Sequence, residues 1–236
     1  MVAAWRGNLS GVRARVPFGV GSPWKGYPSG SSMAPDLMRC EEIASHADFR
    51  PLSSIPGIAV DLRYAGVNNF VGRNLYGTLD CAFAHRLAAA GLERAATQLA
   101  RQAPGHRILV LDALRPHRVQ IQLWDHLEGT DLRQYVADPA RGSIHSFGMA
   151  LDATLVDAQG RELDMGTGYD AMTELSHPAL EGEHLVAGRL RADQVANREL
   201  LRDVMVDAGF GTIDNEWWHF EMLDRQHVRR TFQRVD

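Results

Sequence analysis

The chain has 236 residues, 45% of them hydrophobic, enough to bury a sizeable core in one catalytic domain with extensions. Its formal net charge of -4 is spread along the sequence, so no basic footprint for nucleic acid or acidic lipid stands out, and a small molecule or peptide is the expected partner. No apolar run approaches the roughly 20 residues of a membrane span, and the opening residues lack a signal peptide's apolar stretch, so no membrane association and a cytoplasmic location are expected.

Residues 1–35 carry Arg6, Arg13, Arg15 and Lys25 but no acid, and are rich in Gly, Ser and Pro. That composition predicts a disordered N-terminal extension, read as a start placed upstream of Met33 in preference to an organelle transit peptide, with the catalytic domain spanning 36–236. Residues 58–64 alternate as a strand, and Asn68-Asn69 marks a loop. Residues 81–102 hold good helix formers with an apolar stripe, stopped by Pro104-Gly105. A buried strand is expected over 108–111, a helix over 118–127, a strand over 149–156, a helix over 192–208 ended by Gly209, and an aromatic-rich strand over 217–222. Strands and helices mix without regular βαβ spacing, so the fold class is α+β. Cys40 and Cys81 lie far apart in sequence and spell neither a zinc knuckle nor a disulfide framework; plain thiols are expected.

Two segments carry chemistry. In residues 143–152, His145 and Asp152 flank a glycine turn, with Asp152 inside an expected apolar strand. An unpaired buried carboxylate costs several kcal/mol, so it needs a cation, a hydrogen-bond network or a metal, unless it simply points to solvent. In residues 214–220, Glu216 and His219 stand three apart among bulky aromatics, where an incidental histidine in a packed strand is the bland reading. A regular strand sends these two to opposite faces, so a shared site requires Glu216 at the strand entrance or on a bulge, and that irregularity is the expectation. Together, His145, Asp152 and His219 make three zinc ligands with the fourth position left to water, the pattern of a catalytic site. Glu216 is then the general base. Arg115, following the strand over 108–111 and held by Pro116, is the candidate donor to the developing oxyanion, against the alternative of a surface arginine in a turn.

These residues fall into a wider pattern: residues 61–65 with 68–72, the Asp112-Ala113-Leu114-Arg115-Pro116 segment, residues 143–152 and 165–172, and Glu216-Trp217-Trp218-His219. In order and spacing, from about Leu52 to Met222, the chain resembles the VanX-type D-alanyl-D-alanine dipeptidases, zinc peptidases related to DD-carboxypeptidases and to the hedgehog domain. The resemblance implies a central, mainly antiparallel sheet flanked by helices. It also implies one zinc ion on His145, Asp152 and His219, with Glu216 as general base and Arg115 stabilising the transition state. Ser143 is implied to contact the substrate carboxylate and Asp170 the free amino group, with Tyr64 and Tyr76 lining the pocket. The chain departs from the pattern at Leu114, where many members have tyrosine.

Reading both ends of a free dipeptide predicts poor fit for longer peptides, since a missing end leaves a polar group unpaired at a cost of about 1–3 kcal/mol. Two rivals remain open at the level of sequence. One is a DD- or LD-carboxypeptidase acting on peptidoglycan stem peptides, and the other a non-catalytic zinc-binding module, for which Glu216 and Arg115 have no use.

Overall fold

The alternating and continuous apolar runs fold into a mixed sheet, and the computed structural model describes residues 38–236. The extension expected over residues 1–35 lies outside the described residues. In chain order the elements are β1 (Phe49–Pro51), β2 (Ile58–Val60), β3 (Phe83–His85), α1 (Arg86–Gln102), β4 (Arg107–Asp112), α2 (His117–His126), β5 (Ala150–Val156), α3 (Glu181–Val186), α4 (Ala192–Asp207), β6 (Phe210–Thr212), β7 (His219–Met222) and α5 (Arg225–Thr231). Short 3-10 turns connect several of them.

The main sheet has strand order β2-β4-β5-β7-β6. Only the β2–β4 pair is parallel; the other three are antiparallel, and β1 with β3 forms a separate two-stranded ribbon. One face of the sheet is closed by α1 and α4. The apolar stripe of α1, including Ala88, Leu92, Ala95 and Leu99, packs with Leu201, Val204 and Met205 of α4 over Ile108, Val110, Leu151, Leu155 and Phe220. Each fully buried leucine or phenylalanine in that layer contributes roughly 1.5–3 kcal/mol, which makes the sheet a rigid platform. Gly91 lets α1 approach closely: a Cβ there would fall 2.8 Å from the ring of Phe210 and 2.4 Å from Met222.

Register then lays out the opposite face. Asp112 of β4 pairs with Asp152 of β5, and Asp152 pairs with His219 of β7, so three polar residues form one row across adjacent strands. The β4–β5 ladder is irregular between Val110 and Asp112.

Several elements differ from the sequence pattern. The helix expected from residue 81 begins only at Arg86, because residues 83–85 pair with β1 and the His85 ring then accepts from the Leu87 N–H as an N-cap. The strand expected over 58–64 stops at Val60 and gives way to a 3-10 turn over Arg63–Ala65, which turns Arg63 and Tyr64 inward. The aromatic strand begins at His219 rather than at residue 217. Helices α3 and α5, 6 and 7 residues long, are too short to show a helical period. Cys40 and Cys81 are both buried free thiols. Among the described residues no helix is long and apolar enough to cross a membrane.

Candidate metal centre and peptidase site

His145 reaches the site from a 3-10 turn over Ile144–Phe147 that ends at Gly148 in the left-handed region, φ 63°. Glycine is required there for a second reason: a Cβ would meet the backbone nitrogen of His85 at 2.8 Å and the Phe49 ring at 2.7 Å. The turn delivers the chain into β5, whose third residue is Asp152, and β7 opens with His219.

Three atoms converge. His145 Nε2 lies 3.2 Å from His219 Nδ1, His219 Nδ1 lies 2.9 Å from Asp152 Oδ1, and His145 Nε2 lies 3.3 Å from Asp152 Oδ1. Donors bound at the zinc distance of about 2.0–2.1 Å in a tetrahedron stand about 3.3 Å apart, so this triangle fits one tetrahedral face. Each remaining ring nitrogen is committed elsewhere. His145 Nδ1 lies 2.9 Å from the carbonyl of Ala113, which can only accept, and His219 Nε2 lies 2.9 Å from Glu221 Oε1. Those partners fix the tautomers so that the two converging nitrogens present lone pairs. Of the groups of histidine, cysteine and carboxylate that could hold a metal, the cluster found among the described residues is His145, Asp152 and His219, all buried.

The charge balance also favours a cation. Burial opposes ionisation of Asp152, yet His145 and His219 hold its carboxyl well below the usual range. Burial likewise opposes charge on His219, but Asp152 and Glu221 outweigh it and hold the ring's pKa far above normal. Two carboxylates, Asp152 and Glu221, each lie 2.9 Å from a nitrogen of the His219 ring, and a divalent cation can neutralise that concentration of acid.

Glu216 lies in the turn just before β7, outside the strand ladder, which is how it reaches the same side as His219: its Oε2 is 3.9 Å from His219 Nδ1. Burial pushes its carboxyl up to about 7, against the opposing pull of His219. Arg115 is held on several sides. Its Nε donates to Asp112 Oδ2 at 2.8 Å, its Nη1 to Gln120 at 3.0 Å and its Nη2 to Asp152 Oδ2 at 3.4 Å, while the guanidinium lies 5.0 Å from the centre of the Tyr64 ring. It is a buried, oriented cation rather than a surface arginine in a turn.

The cavity over these groups has a volume of about 170 Å3, and Ser143, Asp170, Tyr64, Arg115 and Glu216 line it together with the three donors. Ser143 precedes the 3-10 turn, makes no side-chain capping bond to it, and lines the cavity. Asp170 has a positive φ of 58° and accepts a 2.9 Å bond from the Tyr64 hydroxyl; burial, then Asp152, raise its pKa well above the carboxylate range. Tyr76 departs from expectation. It does not line this cavity, because its hydroxyl donates to the buried Asp112 behind Arg115. Leu114 is fully buried in the cluster around Tyr64 and Tyr76, so its side chain lies in the core and not on the cavity wall.

Sequence reasoning missed several contributors. Glu221 orients His219 and is itself held by Arg225 at 2.6 Å. Tyr169 donates to Asp152 Oδ2 at 3.1 Å, and Asp112 with Gln120 fixes Arg115. Of these only Glu221 left a local signal, two residues from His219 and therefore on the same strand face.

An inward-facing His-Asp-His donor set, with a free carboxylate and an oriented guanidinium sharing its cavity, is the equipment of a metal-dependent hydrolase. The chain belongs to the M15 peptidase family: the family model described as D-ala-D-ala dipeptidase matches residues 46–236. The D-alanyl-D-alanine dipeptidase of Escherichia coli K12 is 36% identical over 167 residues, covering 71% of this chain and 80% of the relative. The D-alanyl-D-alanine dipeptidase of Enterococcus faecium is 29% identical over 205 residues, covering 75% and 92%. A solved LD-carboxypeptidase, LdcB, superposes with a TM-score of 0.42 at 15% identity over 78% of this chain and 72% of that one, a likeness too distant to bear on function.

Proposed function

We propose that this peptidase hydrolyses D-alanyl-D-alanine to two D-alanines, with one zinc ion held by His145 Nε2, Asp152 Oδ1 and His219 Nδ1. The observation that carries the reading is the convergence of these three atoms within 3.3 Å of one another in a cavity that also holds Glu216 and Arg115. Zinc bound there would supply Lewis acidity, which makes water a competent nucleophile near neutral pH. Glu216, free of the strand ladder and beside His219, accepts the proton of the attacking water and returns it to the leaving amine. Arg115 donates to the oxygen of the scissile carbonyl as charge develops on it, its guanidinium already oriented by Asp112 and Gln120. Asp170 receives the substrate's ammonium and Ser143 lies on the wall that takes its carboxylate, with Tyr64 positioning Asp170 through its hydroxyl. A cytoplasmic setting belongs to the same reading and is checked by fractionating cells that express the full chain.

The test is release of D-alanine from D-alanyl-D-alanine by the purified full-length protein, before and after chelation and with zinc added back. Release that chelation abolishes and zinc restores supports the reaction and the metal together. Zinc bound without release from the dipeptide, but with release from a peptidoglycan stem pentapeptide, would replace this reading with a carboxypeptidase.

A further inference from the structure

Three arginines line the cavity: Arg115, Arg225 and Arg229. Arg115 is matched by Asp112 and Asp152, and Arg225 by Glu221. Arg229 is different. Its Nε donates to the backbone carbonyl of Gly142 at 3.0 Å, and no ion pair is found for it among the described residues. That contact ties the last turn of α5 to the residue immediately before Ser143, so the guanidinium and the serine belong to one wall of the cavity. Asp170 lines the same cavity, held by the Tyr64 hydroxyl, whereas Arg229 is held by Gly142. Glu221, an acid that also lines the cavity, already accepts from His219 and Arg225.

A half-buried guanidinium without an acid partner is complementary to an anion brought by the ligand. We propose that Arg229 is the specificity-determining residue that receives the substrate's terminal carboxylate beside Ser143, an inference that rests on the dipeptidase reading above. A hydroxyl alone cannot neutralise that charge, and the guanidinium makes a free terminal carboxylate a requirement rather than a tolerance.

The test compares D-alanyl-D-alanine with its C-terminal carboxamide on zinc-loaded wild type, Arg229→Gln and Arg229→Lys. The wild type is expected to favour the acid, and Arg229→Gln to raise KM for the acid by at least about tenfold, with the greater part of the loss in KM rather than kcat. KM for the amide should move little, so the preference for the acid collapses; Arg229→Lys, which keeps the charge, should retain part of it. If KM for acid and amide rise together, Arg229 merely braces Gly142 and the proposal is overturned; an undiminished preference in Arg229→Gln overturns it equally. Should the wild type cleave neither compound, the dipeptidase reading falls first and takes this one with it.

Discussion

The Nε2 atom of His219 lies 2.9 Å from Oε1 of Glu221, two residues further along β7. The strand period places both on the site face, and Arg225 completes the chain by donating to the other Glu221 oxygen at 2.6 Å. By accepting a hydrogen bond from Nε2–H, Glu221 keeps the proton on that nitrogen and leaves the Nδ1 lone pair facing Asp152 and His145. Replacing Glu221 with glutamine is expected to weaken metal binding by about 10-fold or more, read by competition with a chromophoric chelator. An unaltered affinity would remove Glu221 from the centre.

Glu216 has a different place beside the same donors. It lies in the turn before β7 and is not one of the converging atoms, so Glu216→Gln should keep zinc while losing activity. The expected drop in kcat is roughly 10²–10⁴-fold, the usual range for a general acid–base group. Zinc stoichiometry and turnover measured on the same preparation check this, and turnover close to wild type would exclude Glu216 as the base.

Arg115 carries structural weight beside its proposed role in the reaction. Asp112 is fully buried and has Arg115 as its ion-pair partner, with the Tyr76 hydroxyl as a second donor. Arg115→Met leaves that carboxylate without its cation, and a loss of about 3–5 kcal/mol in unfolding free energy is expected. The double variant Arg115→Met with Asp112→Asn should recover much of it in urea denaturation. No recovery would mean that the pair is not the source of the loss.

Gly148 sets the direction of the turn between His145 and Asp152. An alanine there combines a left-handed φ of 63° with a Cβ only 2.8 Å from the His85 backbone nitrogen. The conformation alone costs about 1–2 kcal/mol, and the contact cannot relax without moving β3 or the turn. Gly148→Ala should therefore lower both the unfolding midpoint and the metal affinity, since displacement of the turn moves His145 from its partners. A variant that is destabilised yet binds metal normally would separate the turn from the site.

His85 makes stability depend on pH. Its ring caps α1 by accepting from the Leu87 N–H, and burial lowers its pKa to about 4 from 6.5. Between those values the unfolded chain binds a proton that the folded chain refuses, so the contribution is complete above pH 6.5 and is lost as pH falls toward 4. At pH 4.5 the loss attributable to this group is about 2 kcal/mol. His85→Asn keeps a cap that does not titrate, and denaturation of both proteins at pH 7 and pH 4.5 should show the smaller decline in the variant. Equal declines would mean that His85 does not drive the acid sensitivity.

Much of the candidate site was legible because its members sit in compact segments. His145 and Asp152 flank a glycine turn, Glu216 and His219 stand three residues apart, and Arg115 precedes a proline that holds the chain extended. The long elements were legible for a related reason: β4, β5, α1 and α4 carry enough apolar residues in period for burial to dictate their form. Tertiary structure alone decided what lies between those segments. The sheet register places Asp112, Asp152 and His219 in one row, and contacts over long sequence separations bring Tyr64 to Asp170, Tyr76 to Asp112 and Arg229 to the residue before Ser143. A sequence displays which side chains can ionise or ligate, but strand order and register determine which of them meet. Those depend on the free energy of packing α1 and α4 against the whole sheet, a sum that no local window contains.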